Sequence, residues 1–438
     1  MMHEELRNRA VVFASLAALA AGLLGGCSAS GPESSNPVTI EFWSGIPAAV
    51  QAAEAYNASQ DEVIVNVSNP PDTAQKLSAA LTAGTGAPDL SGAQYTDMPA
   101  FIATGGLAEL SQFDLDQDSY LPFTWTLVGS GDQVYGIPED IGPAAMVYRE
   151  DVLKQYGLEP AKTWDEFAEQ AQQIFDASGG ETVIANFPPN YADWFLALAW
   201  QRGGKPWQID GDGYSQNFDN AAARDVAEFL QPLIENGLVT TYPQFSADLY
   251  NALAKGEIAT SMEAAWGAGG WAQNLPADTK GLWRVADLPQ VDEATFAAAN
   301  LGGSALIVPK EGEHQEEAVE FAKWLTATTD GTQIQYDISG TFSASLVGQD
   351  LPSFGDPEKN PSVFFGGQNV AEVYAKAASG VDQEFVYAPW YLASTDAYTA
   401  AFAGVFTNEK TIRDALADWQ AAALADAESK GYQVTAGD

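Results

Sequence analysis

Apolar and polar positions divide this chain into short strands and amphipathic helices. Val38 to Trp43 (VTIEFW) is a β-rich run bounded by Pro37 and by Ser44-Gly45, which predicts a first strand opening into a loop. Ala48 to Gln60 predicts a helix, Val63 to Val67 (VIVNV) alternates as a second strand, and Thr73 to Leu81 continues as another helix. The centre of GAPDLSGAQY, Gly86 to Tyr95, reads as a strand after a turn. Strand and helix in alternation predict an α/β layer around a central, largely parallel sheet.

Farther along, Tyr135 to Arg149 (YGIPEDIGPAAMVYR) passes from a polar turn into a strand, with a helix beginning near Glu150. That change of character suits a crossing from one domain to another. Thr163-Trp164-Asp165-Glu166 forms a capping-box pattern ahead of Phe167, Ala171, Ile174 and Phe175, which share one helical face. Helices are also predicted over Trp194 to Arg202, over Ala221 to Asn236 ended by Gly237, and over Tyr250 to Lys255 ended by Gly256. Asn300 to Pro309 (NLGGSALIVP) returns to a strand, and Gly302-Gly303 supplies the backbone freedom of a second crossing. Glu316 to Thr326 and Lys410 to Lys430 complete the helical pattern.

One stretch stands apart. In LAKGEIATSMEAAWGAGGW, Leu253 to Trp271, two indoles lie among glycines and alanines, with Glu263 three residues before the first. So many small residues supply little core, so the aromatic faces suit one wall of a ligand cleft, carried on a loop after the buried strand IATSM.

At 438 residues the chain is long enough for two or three domains. Fifty-nine acidic residues oppose nineteen basic ones, a formal charge of −40. That balance excludes nucleic acid as a partner and disfavours anionic surfaces and ligands, leaving neutral or cationic ones. The N-terminus changes the picture further. Arg7 and Arg9 precede an apolar run from Ala10 to Leu24, followed by Leu24-Gly25-Gly26-Cys27. The order is that of a secretory signal over residues 1–26, ending in a resemblance to a bacterial lipobox with Cys27 as the lipidated residue. SASGPESSNP then reads as a flexible tether, so that 27–37 link a membrane anchor to the folded part.

Cys27 is the chain's only cysteine, which excludes internal disulfides and thiolate metal sites. After the signal, only His314 remains of the two histidines, in a charged segment entering a helix, so Ser-His-Asp hydrolysis and zinc catalysis lose their usual groups. Asp114, Asp116 and Asp118 alternate as in an EF-hand, but Ser119 stands where the loop needs glycine and Trp125 where it needs glutamate. Asp210-Gly211-Asp212-Gly213 reads as a hairpin turn. No metal or cofactor is expected.

Taken in order, the lipobox, TIEFW, GAPDL, YGIPED with MVYRED, WQRGG, LAKGEIATSMEAAWG, LGGSALIVPK with EEAVEFAKWL, and FFGGQNVAEVYAKAA resemble the extracellular solute-binding lipoproteins of bacterial ABC importers. The likeness is to the sugar-binding, maltose-binding-protein-like branch and covers nearly the whole chain after the signal. FFGGQNV looks most like members that take up plant-derived cello- or xylo-oligosaccharides. The resemblance implies a two-lobed α/β fold, each lobe a central sheet flanked by helices, with two or three crossing segments as hinge. On that pattern the N-terminal lobe takes 38–143 and 301–345 and the C-terminal lobe 144–300 and 346–438. It also implies a monomer that captures an oligosaccharide at the outer face of the cell membrane, delivers it to permease subunits and performs no catalysis.

A sugar presents apolar C–H faces and a rim of hydroxyls, so its site needs flat aromatic platforms and hydrogen-bonding side chains. Twelve tryptophans and sixteen tyrosines supply platforms in excess. On the family's cleft loops the resemblance places Trp43, Tyr95, Trp194, Trp266, Trp271 and Trp390. Asp140 and Glu263 would take hydroxyl pairs, and Gly302 and Gly303 would bring backbone close to the ligand. Trp200 and Trp324 fall on apolar helical faces and are expected in the core. Two alternatives stay open: a binding protein for a small cationic or polar non-sugar solute such as a peptide or polyamine, or an anchored glycoside hydrolase drawing on Glu139, Asp140 and Glu263.

Overall fold

The computed structural model describes residues 36–437 apart from 212, 293 and 360. The signal, the lipidation at Cys27 and the tether up to residue 35 lie outside the described residues. Seven strands form the main sheet: β1 (Val38–Trp43), β2 (Val63–Ser68), β3 (Leu90–Gln94), β4 (Ile137–Arg149), β5 (Thr260–Ala264), β6 (Trp283–Ala286) and β7 (Asn300–Ile307). Their order is β5-β4-β7-β3-β1-β2, with β6 on the remaining edge of β4. β1 pairs in parallel with β2 and β3, as the strand-helix alternation predicts. Beyond β3 the parallel pattern stops. β7 runs antiparallel to β3 and β4, and β5 and β6 run antiparallel to β4. The expectation of a largely parallel sheet fails there because β4 and β7 are crossing strands, not members of strand-helix-strand units.

β4 organises the fold. Its first half, Ile137 to Pro143, pairs with β7. Its second half, Ala144 to Arg149, pairs with β5 and β6. One strand thus joins two sets of partners in the sheet. β7 accompanies it across, with a break in register between Asn300 and Gly303. A third segment follows the same line: Ile141 N–H donates to Phe342 O at 2.8 Å and Ala344 N–H to Glu139 O at 3.1 Å.

Where β4 and β7 meet, the backbones approach too closely for side chains. A Cβ on Gly142 would lie 2.0 Å from Leu301 O, and one on Gly303 2.6 Å from Asp140 O. Gly302 and Gly303 also take φ of +71° and +100°, where residues with a Cβ are strained. Asn300 ties the crossing laterally, its Oδ1 accepting from Gly142 N–H at 2.8 Å and its Nδ2 donating to Gly302 O at 2.6 Å.

Aromatic clusters fill both lobes. Phe321 meets Phe42 and Tyr56, and Trp324 stacks near it at 6.1 Å, while Trp200 stacks on Phe385 at 3.8 Å; of the two tryptophans expected in the core, Trp200 is buried there and Trp324 is half-buried against its edge. Thr163 caps the helix Trp164–Ser178 by accepting from Glu166 N–H, but the Glu166 carboxylate reaches back past Thr163 to Lys162 N–H, one residue beyond the partner of a full capping box. The strands Trp207–Asp210 and Gly213–Gln216 form the expected hairpin. The glycine-rich stretch differs from expectation: Ala265–Asn274 is a helix, not a loop. Intrinsic propensity opposes it, because each glycine costs up to about 1 kcal/mol relative to alanine. Packing of Trp271 at right angles onto Trp283, 4.8 Å between centroids, favours it. No helix among the described residues is long and apolar enough to cross a membrane.

Candidate functional site

A cavity of about 760 Å³ lies over the crossing strands. One wall comes from the carboxyl ends of the three parallel strands, the usual ligand position on such sheets. It contains Trp43 at the end of β1, Asn69 just after β2, and Asp97 beyond β3. The floor is Glu139, Asp140, Gly302, Gly303 and Ser304, all at the crossing. The opposite wall holds Tyr191 and Asp193 at the start of the helix Ala192–Gln201, Phe245, Trp266, and Tyr391 of the helix Tyr391–Phe402.

Four of the polar groups are carboxyls, those of Asp97, Glu139, Asp140 and Asp193, set among hydroxyl and amide side chains. Ser304 Oγ donates to Asp140 Oδ1 and lies 3.1 Å from Glu139 Oε2, so the two acids share one hydroxyl. Burial, then the charge of Asp140, pushes the Glu139 carboxyl up to about 8, against the Ser304 hydrogen bond. Burial also raises Asp140. Asp193 accepts from Tyr391 Oη and is pushed up to about 6 by burial, as is Asp97. The lining includes no lysine, arginine or histidine.

These shifts carry a pH dependence. A carboxyl whose folded value exceeds its unfolded one holds an extra proton in the native state, so stability falls as pH rises between the two values. For Glu139 that window runs from the ordinary 4.5 up to about 8. Thermal unfolding of the free protein should show a loss on the order of 1–2 kcal/mol between pH 5 and 8. Asp97, Asp193 and Glu263, raised by burial to about 6, 6 and 7, add to the same slope, so Glu139→Gln should reduce it, chiefly above pH 7, without abolishing it; an unchanged slope would place its source in the other three.

Of the residues singled out in the sequence, Trp43, Asp140, Trp266, Gly302 and Gly303 come together on this cavity. The other five lie outside its lining. Tyr95 is fully buried behind Gly303, its hydroxyl without a partner. Trp194 packs on Phe187 at 5.1 Å. Trp390 is 2% exposed and donates from Nε1 to Gln216 Oε1 at 2.6 Å. Trp271 is buried against Trp283. Glu263 is buried in β5, accepts from Ser261 Oγ at 2.9 Å, and is pushed up to about 7 by burial. The FFGGQNV segment is also away from the cavity: Gln368 bonds Val285 of β6 through both its amide atoms.

Trp266 holds two positions at once. It lines the cavity, and its Nε1–H donates to Leu301 O at 2.8 Å, joining the helix Ala265–Asn274 to strand β7. Sequence reasoning passed over Tyr191, Asp193, Phe245 and Tyr391. The nearest signal was adjacency: Asp193 precedes Trp194, and Tyr391 follows Trp390.

Comparison with known proteins agrees with this architecture. The family model described as bacterial extracellular solute-binding protein matches residues 51–362. A lactose-binding protein of Rhizobium radiobacter is 28% identical over 390 residues, 86% of this chain and 88% of its own. An arabinooligosaccharide-binding protein of Bacillus subtilis is 26% identical over 272 residues, 60% of this chain and 61% of its own. Among solved structures, the ABC transporter associated binding protein of B. animalis subsp. lactis Bl-04, in complex with β-1,6-galactobiose, has a TM-score of 0.75 at 26% identity. That superposition covers 91% of this chain and 100% of the other. These relatives are substrate-binding proteins, and the two-lobed fold is theirs also. With well over half its length matched, the chain belongs to the bacterial extracellular solute-binding protein family.

Proposed function

We propose that this protein captures an oligosaccharide between its lobes and delivers it to the permease of an ABC importer. The observation that carries the reading is the cavity's composition: Trp43 on one wall, Tyr191, Phe245 and Trp266 on the other, and hydroxyl-accepting carboxylates at the floor. Aromatic faces suit the C–H faces of sugar rings, and carboxyl groups hydrogen-bond sugar hydroxyls, as acceptors when ionised and also as donors when protonated. Relatives that bind lactose, arabino-oligosaccharides and galactobiose support it. The lobes take 38–143 with 301–345, and 144–300 with 346–438. The chain acts as a monomer, held to the outer face of the cell membrane through lipid on Cys27 after removal of residues 1–26. Ligand draws the lobes together about the three crossing segments, giving the permease a surface that the open form lacks.

A second reading has its own observation. Asp97, Glu139, Asp140 and Asp193 meet no cation in the lining, which suits a small cationic solute such as a polyamine or peptide. Calorimetry against galacto-, gluco-, cello-, xylo- and arabino-oligosaccharides, peptides and polyamines separates the two. Saccharide binding with compaction in solution scattering is the expected result. Binding of peptides or polyamines alone would overturn it, and new reducing ends on incubation would point to hydrolysis.

A further inference from the structure

Phe245 adopts φ of +63°, in the left-handed region that residues with bulky side chains rarely enter. Only Asp72 and Asn408 share that region among the described non-glycine residues, and both are types that tolerate it. The Phe245 side chain gains little burial in return. It is 52% exposed, one of the few large apolar side chains left open to solvent, and it opens on the cavity.

The surrounding structure holds the conformation on both sides. Gln244 N–H donates to Asn190 Oδ1 at 2.8 Å, and Ser246 N–H to Pro243 O at 3.2 Å. Earlier in the same loop, Asn186 accepts from Tyr242 N–H at 2.7 Å and from Thr240 Oγ1 at 2.9 Å, and donates to Tyr242 O at 3.0 Å. Ser246 then caps the next helix by accepting from Leu249 N–H. So held, the Phe245 ring meets Tyr191 edge-on at 5.8 Å and lies 6.5 Å from Trp266 at a tilt of 42°. Strain that local packing does not explain, at a clamped and open position beside a cavity, is characteristic of a residue kept for its ligand.

We infer that Phe245 is a specificity-determining residue that joins Tyr191 and Trp266 into one aromatic shelf, and that the shelf selects saccharides of two or more rings. The inference rests on the saccharide reading above. Without Phe245, Tyr191 and Trp266 are separate platforms, each sized for one ring. With it, apolar surface continues between them, and a second sugar ring finds a face to stack on.

Ligand use and structural use predict opposite results, which makes the residue testable. Phe245→Asn keeps a residue that accepts left-handed backbone but removes the ring, whereas Phe245→Tyr keeps the ring. The probes are lactose, β-1,6-galactobiose, cellobiose and xylobiose with galactose, glucose and xylose, titrated by calorimetry alongside thermal unfolding. The expected result is an affinity about ten-fold lower for the bound disaccharide in F245N, with less than about three-fold change for any monosaccharide and near wild-type values in F245Y. The Tm of F245N should stay unchanged or rise. Unchanged disaccharide affinity would overturn the inference alone, as would a Tm that falls together with affinity for every probe. Wild-type protein that binds none of the probes would overturn the saccharide reading and this inference with it.

Discussion

Trp266→Ala should lower saccharide affinity about a hundred-fold, close to 2.7 kcal/mol, while the protein remains folded. The effect is large because one side chain performs two functions. It lines the cavity as a platform, and its indole N–H holds Leu301 O at the crossing, so its removal strips the ligand of a stacking face and loosens the strand beneath. The Leu301 carbonyl would face the space left by the indole, which adjoins the cavity, so that water entering there can bond it and limit the cost to stability. Trp266→Phe divides the two functions, keeping a ring without the donor, and should lose less affinity than alanine. Calorimetry for affinity and thermal unfolding for stability check both variants. Global unfolding of W266A would show that the indole is chiefly core, and unchanged affinity would remove it from the ligand.

Gly142→Ala should destabilise the protein by about 3 kcal/mol or more, at the upper end of overpacking costs. The added carbon would lie 2.0 Å from Leu301 O, 3.0 Å from Leu301 C and 2.7 Å from Trp266 Nε1. The first two atoms are backbone of a paired strand and cannot turn aside as a flexible side chain would. The carbon also enters the space of the Trp266–Leu301 hydrogen bond, so ligand affinity should fall with stability. Gly269→Ala is the control: nothing lies within 4 Å of its added carbon, and alanine favours the surrounding helix. A fall in Tm of several degrees for G142A beside an unchanged or raised Tm for G269A is the expected pair. Equal Tm values would mean that the crossing has slack.

Much of the fold was legible because local pattern specifies it. Val38–Trp43 and Val63–Ser68 follow their alternation, and Gly256 ends its helix at φ +75° as a left-handed cap should. The antiparallel half of the sheet was not legible, since nothing local to Asn300–Ile307 says that it inserts between β3 and β4. The site was partly legible for a geometric reason. Residue type marks Trp266 and Trp271 alike, but they sit five positions apart on one helix, which turns their side chains about 140° from each other. They cannot face the same cavity. A turn of about 100° per residue likewise separates Asp193 on the wall from its neighbour Trp194 in the core, and Tyr391 lines the cavity while Trp390, just ahead of the helix, is buried. Phe245 carried no signal at all, because its value lies in a backbone angle set by Asn186 and Asn190 half a hundred residues earlier.

The position of β7 bears on how the molecule is made. It pairs with β3 on one edge and β4 on the other, and Ser304 meets Glu139 across 165 residues of chain. A nascent chain that has delivered β1 to β4 therefore still lacks the strand that fills the gap between β3 and β4. Those two edges stay unpaired, with their backbone groups open to wrong partners, until the last third of the protein emerges. Closure of the sheet is a late, long-range event of the kind that makes folding slow. The segment that builds the cavity floor is thus also the keystone of assembly, and the binding site comes into being at the moment the sheet is completed.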